Sequence, residues 1–444
     1  MATAGRTVLF SSLTVAAALA SLIVFPQRFL YSMGLGGSLV ALLAAAIALT
    51  VLPAVLAMLG NRVNALSPAF LQRRAEREAR PMEEGFWYRL SQFVRRRPIG
   101  IATASAALLL LLSIPFYSLK FTSVDAQVLP ETASARQVDD VLRSDFQPFR
   151  DSPVRVLVED STPAAVAQVQ DELRSLDGVV QVSPPRELEN GKTLVSAVND
   201  HPFIETESRD LVEQVRELPA PEGTTVLVTG AAANFVDFQA SLADHLPIAA
   251  AITVLSTLIL LFLMTGSVVL PIKQLVMNIL NLTAVFGILV FVFQDGRLEG
   301  LLDYRSQGAL EQTMPILLFA LAFGLSTDYG VFLLSRIKEA RDAGASDSDC
   351  VAIGLERTGR IVTAAALLFA IAVGVFATSE IIFIKENFIG VALAVLIDAS
   401  IIRALLVPAL MELLGRWNWW APGPLRRLHW RIGLSESDTA AGRA

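Results

Sequence analysis

Residues 319–339 read FALAFGLSTDYGVFLLSRIKE, and this stretch decides how the rest of the chain is read. An apolar run long enough to cross a bilayer is interrupted by Asp328 and Tyr329 and closed by Arg336, Lys338 and Glu339. A charged carboxylate at the centre of a membrane costs roughly 2.5 kcal/mol or more. Desolvation therefore leaves such a group neutral or paired. Tyr329 offers a hydroxyl beside it, while Gly324 and Gly330 let neighbouring helices approach closely. The functional reading is a carboxyl that alternately binds and releases H⁺. The plainer one is a structural aspartate hydrogen-bonded inside a helical bundle.

Working outward, the same apolar character dominates the chain. Of 444 residues, 53% are hydrophobic and 18% charged, against roughly 45–50% and a quarter in soluble domains. The excess is concentrated in runs that suffice to cross about 30 Å of hydrocarbon at 1.5 Å per helical residue. A soluble enzyme, a secreted disulfide scaffold and a disordered chain are excluded. Cys350 has no second cysteine to pair with, and the histidines, His201, His245 and His429, are too scattered to suggest a metal site.

Hydropathy predicts about eight spans, at 7–25, 33–59, 99–118, 246–265, 270–293, 314–335, 359–379 and 385–414. The domains expected are the last two helices of a first repeat at 1–60 and a linker at 61–98. A helix at 99–118, an α+β domain at 119–245, a five-helix bundle at 246–415 and a tail at 416–444 complete the chain. Arginines crowd 60–98, recur after the sixth span at Arg336 and Arg341, and follow the eighth at Arg416, Arg426, Arg427 and Arg431. By the positive-inside rule all three segments, the tail among them, are cytoplasmic, and 119–245 is exported. Within it, 154–158, 179–182, 194–198 and 225–228 read as strands and 163–176 and 206–217 as helices. The order β-α-β-β-α-β predicts a ferredoxin-like unit. Ser161 or Thr162 is the expected cap of its first helix.

The chain also repeats itself. TAGRTV at 3–8 resembles RTGRIV at 357–362, and LPAVLAMLGNR at 52–62 resembles VPALMELLGRW at 407–417. The offset is about 354–355 residues throughout, the pattern of transporters built from duplicated bundles. The second copy occupies 99–415, whereas only the last two spans of the first are present. The expectation is a C-terminal part of a larger protein, lacking about 250 residues unless another polypeptide supplies them.

Other polar residues inside the spans are few. Asp398 and Arg403 stand five apart, imperfect for contact on one α-helix, and are expected to reach different helices, Arg403 towards Asp328. Ser11, Thr14 and Thr363 are expected mainly to pack as small residues, with cross-helix hydrogen bonding as the alternative. Asn278 and Asn281 share a face and suggest a polar seam. Glu380, Lys385 and Glu386 read as anchors at the outer boundary. Phe86, Trp87 and Tyr88 suggest an amphipathic helix on the inner leaflet within 60–98. Gly191-Lys192-Thr193 imitates the end of a phosphate-binding loop, but Arg186 stands where its first glycine belongs. Nucleotide hydrolysis has no support, and no cofactor, metal or nucleic acid is expected.

The stretches 3–15, 266–280, 324–341, 357–367 and 396–415 together resemble the MMPL (mycobacterial membrane protein large) branch of the resistance–nodulation–division, or RND, superfamily. The resemblance implies a polytopic α-helical membrane protein with an exported α+β porter domain, driving export of lipids or other hydrophobic compounds across the inner membrane with protons. It further implies that Asp328 and Tyr329 belong to the proton relay, that Asp398 and Arg403 are functionally important, and that Gly324, Leu325 and Phe332 line the helix seam beside it. On that basis Asp328, Tyr329, Asp398 and Arg403 are assigned to the relay, and Ser11 and Thr14 are added to the seam lining. Expected partners are a hydrophobic substrate, protons, membrane lipids, and a missing N-terminal half or a homo-oligomer. The chain departs from the family's twelve spans, two exported domains and second Asp-Tyr pair, and Gly330 stands where a larger or acidic residue is frequent. The alternatives are a non-transporting, sterol-sensing-like lipid-binding scaffold, or a fragment inactive without a partner chain.

Overall fold

The structure, a computed structural model, describes residues 4–60, 84–145 and 152–432. Among them, eight helices are long and apolar enough to cross a membrane: Thr7–Val24, Arg28–Leu59, Pro98–Ser118, Ala231–Thr265, Val269–Gln294, Met314–Asp342, Asp347–Thr378 and Ile382–Trp419. The protein is a multi-pass membrane protein. Several helices outrun the hydropathy reading. The fourth starts at Ala231 and the seventh at Asp347, because backbone hydrogen bonding continues through polar turns that a hydropathy window rejects.

The fifth and sixth spans are the most enclosed, and the second lies almost wholly on the surface. Close crossings depend on small residues. At Gly287 a Cβ would collide with the Leu112 carbonyl, so the third span rests directly on the fifth. Large side chains such as Met277, Leu289, Phe293 and Phe323 fill the space around them.

Between the third and fourth spans sits a small α/β domain. Its strands Val154–Glu159, Val179–Val182, Thr193–Asn199 and Thr225–Thr229 lie in the sheet order second, third, first, fourth, each pair antiparallel. With helices Pro163–Ser175 and Thr206–Glu217 between them, this is the ferredoxin-like split unit. Alternation fixes the faces: Val154, Val156 and Val158 are buried while Arg155 is exposed. The Thr162 hydroxyl accepts from the Ala165 N–H at 3.2 Å, and Pro163 fills the first helical position. Asn190 (φ 61°) and Gly191 (φ 70°) make a hairpin turn that needs two positive φ values. Lys192 then pairs with Glu159, which leaves no phosphate-binding loop there.

Among the described residues, several connections join this domain to the bundle. Phe121–Thr122 pairs in parallel with Leu310–Glu311 just before the sixth span. The Gln294 side chain donates to the Ser118 carbonyl at 2.8 Å and accepts from the Lys120 N–H at 2.8 Å. The helix Ala231–Thr265 runs without a break from the domain into the membrane.

Two shorter helices flank the bundle. In the 60–98 segment, 61–83 lies outside the described residues, and Phe86–Arg96 is a helix packed on the seventh span. Its first turn is capped from that span, the Tyr88 N–H donating to Glu356 Oε2 at 2.7 Å. After the eighth span, Gly423–Ile432 forms a further helix.

The anchor reading of the outer boundary requires correction. Glu380 is exposed, but Lys385 and Glu386 are buried, at 3% and 2% exposure. The Lys385 ammonium turns inward onto the Leu302 and Asp303 carbonyls. Those carbonyls close a short helix, Glu299–Leu302, which one sequence window does not place beside the eighth span.

A polar seam between the first, fifth, sixth and eighth spans

Asp328 lies halfway along the sixth span, half-buried, and its Oδ1 accepts a hydrogen bond from Ser11 Oγ of the first span. Gly324, one turn before, makes that approach possible: a Cβ there would stand 3.5 Å from Ala18 and 3.6 Å from Val15 Cα. Ser11 thus bonds across helices instead of merely packing. Thr14 does not, because its hydroxyl is taken by the Ser11 carbonyl one turn back at 2.7 Å. Thr363 likewise bonds within its own helix, to the Gly359 carbonyl at 2.7 Å.

Asp398 and Arg403 come together on a single helix, against the expectation from α-helical spacing. Residues Asp398–Leu406 are wound as a π-helix, which brings positions five apart onto one face. Arg403 Nε meets Asp398 Oδ2 at 2.6 Å, with side chains 4% and 1% exposed. Arg403 also donates to the Ser326 carbonyl and holds its guanidinium 5.8 Å from the Tyr329 ring centroid. It therefore reaches the sixth span beside Tyr329, with no direct bond to Asp328 among the described contacts.

The fifth span completes the seam. Asn278 Oδ1 accepts from Gln274 at 2.8 Å and lies 2.8 Å from the Ser326 hydroxyl, while Asn278 Nδ2 donates to Thr327 Oγ1 at 3.2 Å. Ser326 Oγ is also 2.9 Å from Asp398 Oδ1. A hydroxyl carries one hydrogen, so Ser326 serves Asn278 or Asp398 but not both at once. Asn281 turns to the eighth span, donating to the Ala394 carbonyl at 3.0 Å. Gly330 leaves the space: its Cβ position lies 3.1 Å from Gln274 Oε1 and 3.4 Å from Arg403 Nη1.

Leu325, Tyr329 and Phe369 pack against Ala366, Val395 and Ala399 of the seventh and eighth spans. Phe332 is half-buried one turn beyond Asp328. Ser326 and Gln274 escaped the sequence reading, although Gln274 stands four before Asn278 and so on its face.

At the bundle's end near the α/β domain, Glu311 caps the sixth span. Its Oε2 accepts from the Thr313 N–H at 2.9 Å and the Met314 N–H at 3.0 Å. Burial pushes this carboxyl above its usual range, against the hydrogen bonds from Thr313 and Met314 that pull it back. Next to it a cavity of about 570 Å³ opens between bundle and domain, lined by Phe29, Phe203, Phe235, Phe238, Phe383, Glu311 and Gln312 among others. Elsewhere, His201, Glu205 and Glu207 bring ligand-type atoms within 4.8 Å of one another. Both carboxylates sit at the start of helix Thr206–Glu217, where the helix dipole already accounts for them.

The architecture has a solved counterpart. The crystal structure of a heavy metal efflux pump superimposes on 93% of this chain and 58% of its own, with TM-score 0.53 and 14% identity, a likeness of fold. In sequence, the chain is 42% identical over 439 residues to a putative membrane protein of Streptomyces coelicolor, covering 98% of this chain and 59% of that one. It is 35% identical over 472 residues to the trehalose monomycolate exporter MmpL3 of Mycobacterium tuberculosis, covering 98% and 50%. Against the mycolic acid-containing lipids exporter MmpL11 of Mycolicibacterium smegmatis the identity is 33% over 438 residues, covering 95% and 45%. The chain thus spans about half the length of these curated relatives. The sequence profile of the MMPL family matches residues 1–101 and 131–435, and the chain belongs to that family.

Proposed function

We propose that this chain serves proton-motive-force-driven export of lipids or other hydrophobic compounds. The observation that carries the reading is Asp328, a carboxyl midway along a spanning helix whose partner, Ser11, belongs to a different span. Protonation removes the charge that holds this cross-helix hydrogen bond strong, so each proton bound or released changes how the first span sits on the sixth. Tyr329, the residue after Asp328, and the Asp398–Arg403 pair beside Ser326 and Tyr329 set the local field. Ser326, with its single hydrogen between Asn278 and Asp398, adds a donor that can switch. The aromatic cavity beside Glu311 is of a size and character suited to a hydrophobic substrate.

In this reading the arginine-rich segments and the tail face the cytoplasm, and the α/β domain faces outward as the porter domain. The divisions at 1–60, 61–98, 99–118, 119–245, 246–415 and 416–444 follow from that topology. Each elementary charge moved across 100 mV supplies about 2.3 kcal/mol, which rocking of the first span and of the α/β domain would draw on. The relatives named as lipid exporters support the substrate class.

The test is reconstitution in vesicles with an internal pH dye and a labelled lipid, under an imposed proton gradient. Asp328→Asn is expected to abolish both gradient-dependent proton flux and lipid movement while the protein elutes and melts as the parent does. Full transport by Asp328→Asn would overturn the relay. Lipid binding with no gradient-dependent movement in the parent would favour a lipid-binding scaffold instead.

A further inference from the structure

The helix Gly423–Ile432, GPLRRLHWRI, follows the last span and is used by nothing in the seam. One residue fixes its position. His429 is 8% exposed, its Nε2 lies 3.2 Å from the Leu263 carbonyl, and its ring stands edge-on to Phe262 with centroids 5.9 Å apart. Gly266, at φ +72°, ends the fourth span beneath it, and a Cβ there would lie 3.0 Å from the imidazole. The short helix is thereby tied to the last turn of a spanning helix. The apolar part of the fourth span continues up to that turn, so the short helix lies at that end of the hydrophobic run.

Its outward face has a definite composition. At about 100° per residue, Arg427 and Arg431 fall opposite His429, with Trp430 on the flank and Arg426 nearer the docked side. All four are exposed, Trp430 to 82%. No described carboxylate lies within ion-pair distance of the three arginines. Trp417 and Trp420, on the approach to the helix, are also exposed, at 56% and 48%. A tryptophan this bare is unfavourable in water and favoured at the headgroup level, where its amphipathic ring is half solvated. Arginines in a fork geometry match phosphate oxygens.

We propose that Gly423–Ile432 is a docking surface for anionic phospholipid headgroups of the membrane that the spans cross, Arg426, Arg427 and Arg431 taking the phosphates and Trp430 entering the headgroup layer. Charge complementarity selects this occupant: the face carries three positive charges and no negative one, and a bilayer surface is within reach by construction. His429, buried against Leu263 and Phe262, ties the helix to the fourth span. The inference does not depend on export, since it needs only the bilayer position of the fourth span.

The experiment uses the whole chain in nanodiscs of phosphatidylcholine alone or of phosphatidylcholine with phosphatidylglycerol, each with brominated acyl chains. The difference between the parent and Trp430→Phe isolates the quenching of Trp430. Quenching is expected to be stronger in the anionic discs, and to lose that excess at high salt or in Arg426→Glu/Arg427→Glu/Arg431→Glu. Each arginine at the surface corresponds to about a fivefold preference for anionic lipid, so Arg426→Gln/Arg427→Gln/Arg431→Gln should also remove most of the excess without reversing charge. Equal quenching in both discs would overturn the proposal. So would absence of quenching in both, with hydrogen-exchange protection of 423–432 arising only when a soluble acidic protein is added. Melting of the charge variants with the parent confirms that they fold.

Discussion

At the scale of single residues, the seam makes its sharpest statement through Asp398 and Arg403. Both are almost entirely shielded, at 1% and 4% side-chain exposure, and each is the other's charge partner. Removing one leaves the other charged and unpaired in a medium that solvates it poorly, which costs about 3–5 kcal/mol. Asp398→Ala alone should therefore lower thermal stability severely. Asp398→Leu with Arg403→Met should cost much less than the two single changes summed, as a thermal-unfolding double-mutant cycle would record. Similar losses in the double variant and in the sum would show that the pair contributes no coupling. Gly330 tests the packing around the same guanidinium. Gly330→Ala asks Gln274 and Arg403 to give a few tenths of an ångström. Gly330→Leu overfills the site and should cost about 1–3 kcal/mol more, read from the shift in melting temperature between the two variants. The sequence made Asp328, Asp398 and Arg403 legible, because a charge inside an apolar run stands out whatever the fold. It did not reveal their partners. Nothing local to Ser11 says that it faces a residue 317 positions away, and nothing in α-helical spacing says that Asp398 and Arg403 share a face.

Among the elements, one unforeseen feature is a departure from regular α-helix and the other is a packing contact. The π-wound stretch Asp398–Leu406 lies within a run that any periodicity scan reads as continuous helix, so five-residue contacts stay invisible until backbone hydrogen bonds are seen. The helix Phe86–Arg96 was legible as amphipathic, yet its apolar side meets protein: Trp87 lies against Gly359 of the seventh span, where a Cβ would clash with the indole. The helix Gly423–Ile432 carries a prediction of its own. Burial, with Lys338 nearby, holds the His429 imidazole below its ordinary value, against the opposing pull of the Leu263 carbonyl and Asp342. The released helix binds the proton more readily than the docked one, so docking gains stability as pH rises. Docking is then complete above about pH 6.5 and weakens as pH falls below it. The protection of 423–432 from hydrogen exchange, taken relative to the intrinsic amide rate at each pH, should accordingly be larger at roughly pH 7.5 than at roughly pH 5.5. His429→Gln, unable to take up the proton, should show no such pH response. A response that survived in His429→Gln would place the titrating group elsewhere.

Across the whole molecule, the question is how an α/β domain and a helical bundle act on each other, and the 35-residue helix Ala231–Thr265 supplies the mechanical answer. At 1.5 Å per residue it is about 52 Å long. Ala232 and Ala233 at its start belong to the core of the domain, while Leu261 and Met264 at its end belong to the core of the bundle. Gly230, at φ +123°, starts it where a Cβ would strike the Pro153 carbonyl, so the helix leaves the sheet at a fixed angle. Helices are stiff against bending except at defined points, and this one continues as a single helix through Pro247, the residue at which bending would be easiest. The Gln294 clamp and the strand pair Phe121–Thr122 with Leu310–Glu311 hold the opposite side. A tilt of the bundle must then move the domain, provided that the helix stays whole. Inserting Gly-Gly after Asp237 breaks the lever between Ala232 and Ala233, in the domain's core, and Phe238, Leu242 and Ala249, which pack with the first and sixth spans. Each glycine in a helix interior costs about 1 kcal/mol, small against the loss of transmission. The inserted variant should keep the parent's protease-resistant domain fragment and its seam contacts, yet lose gradient-dependent transport. Insertion of one whole turn of alanines at the same point lengthens the lever without softening it, and should retain more transport than Gly-Gly. If the two insertions were equally inactive, length and register would matter rather than stiffness, and the lever account would fail.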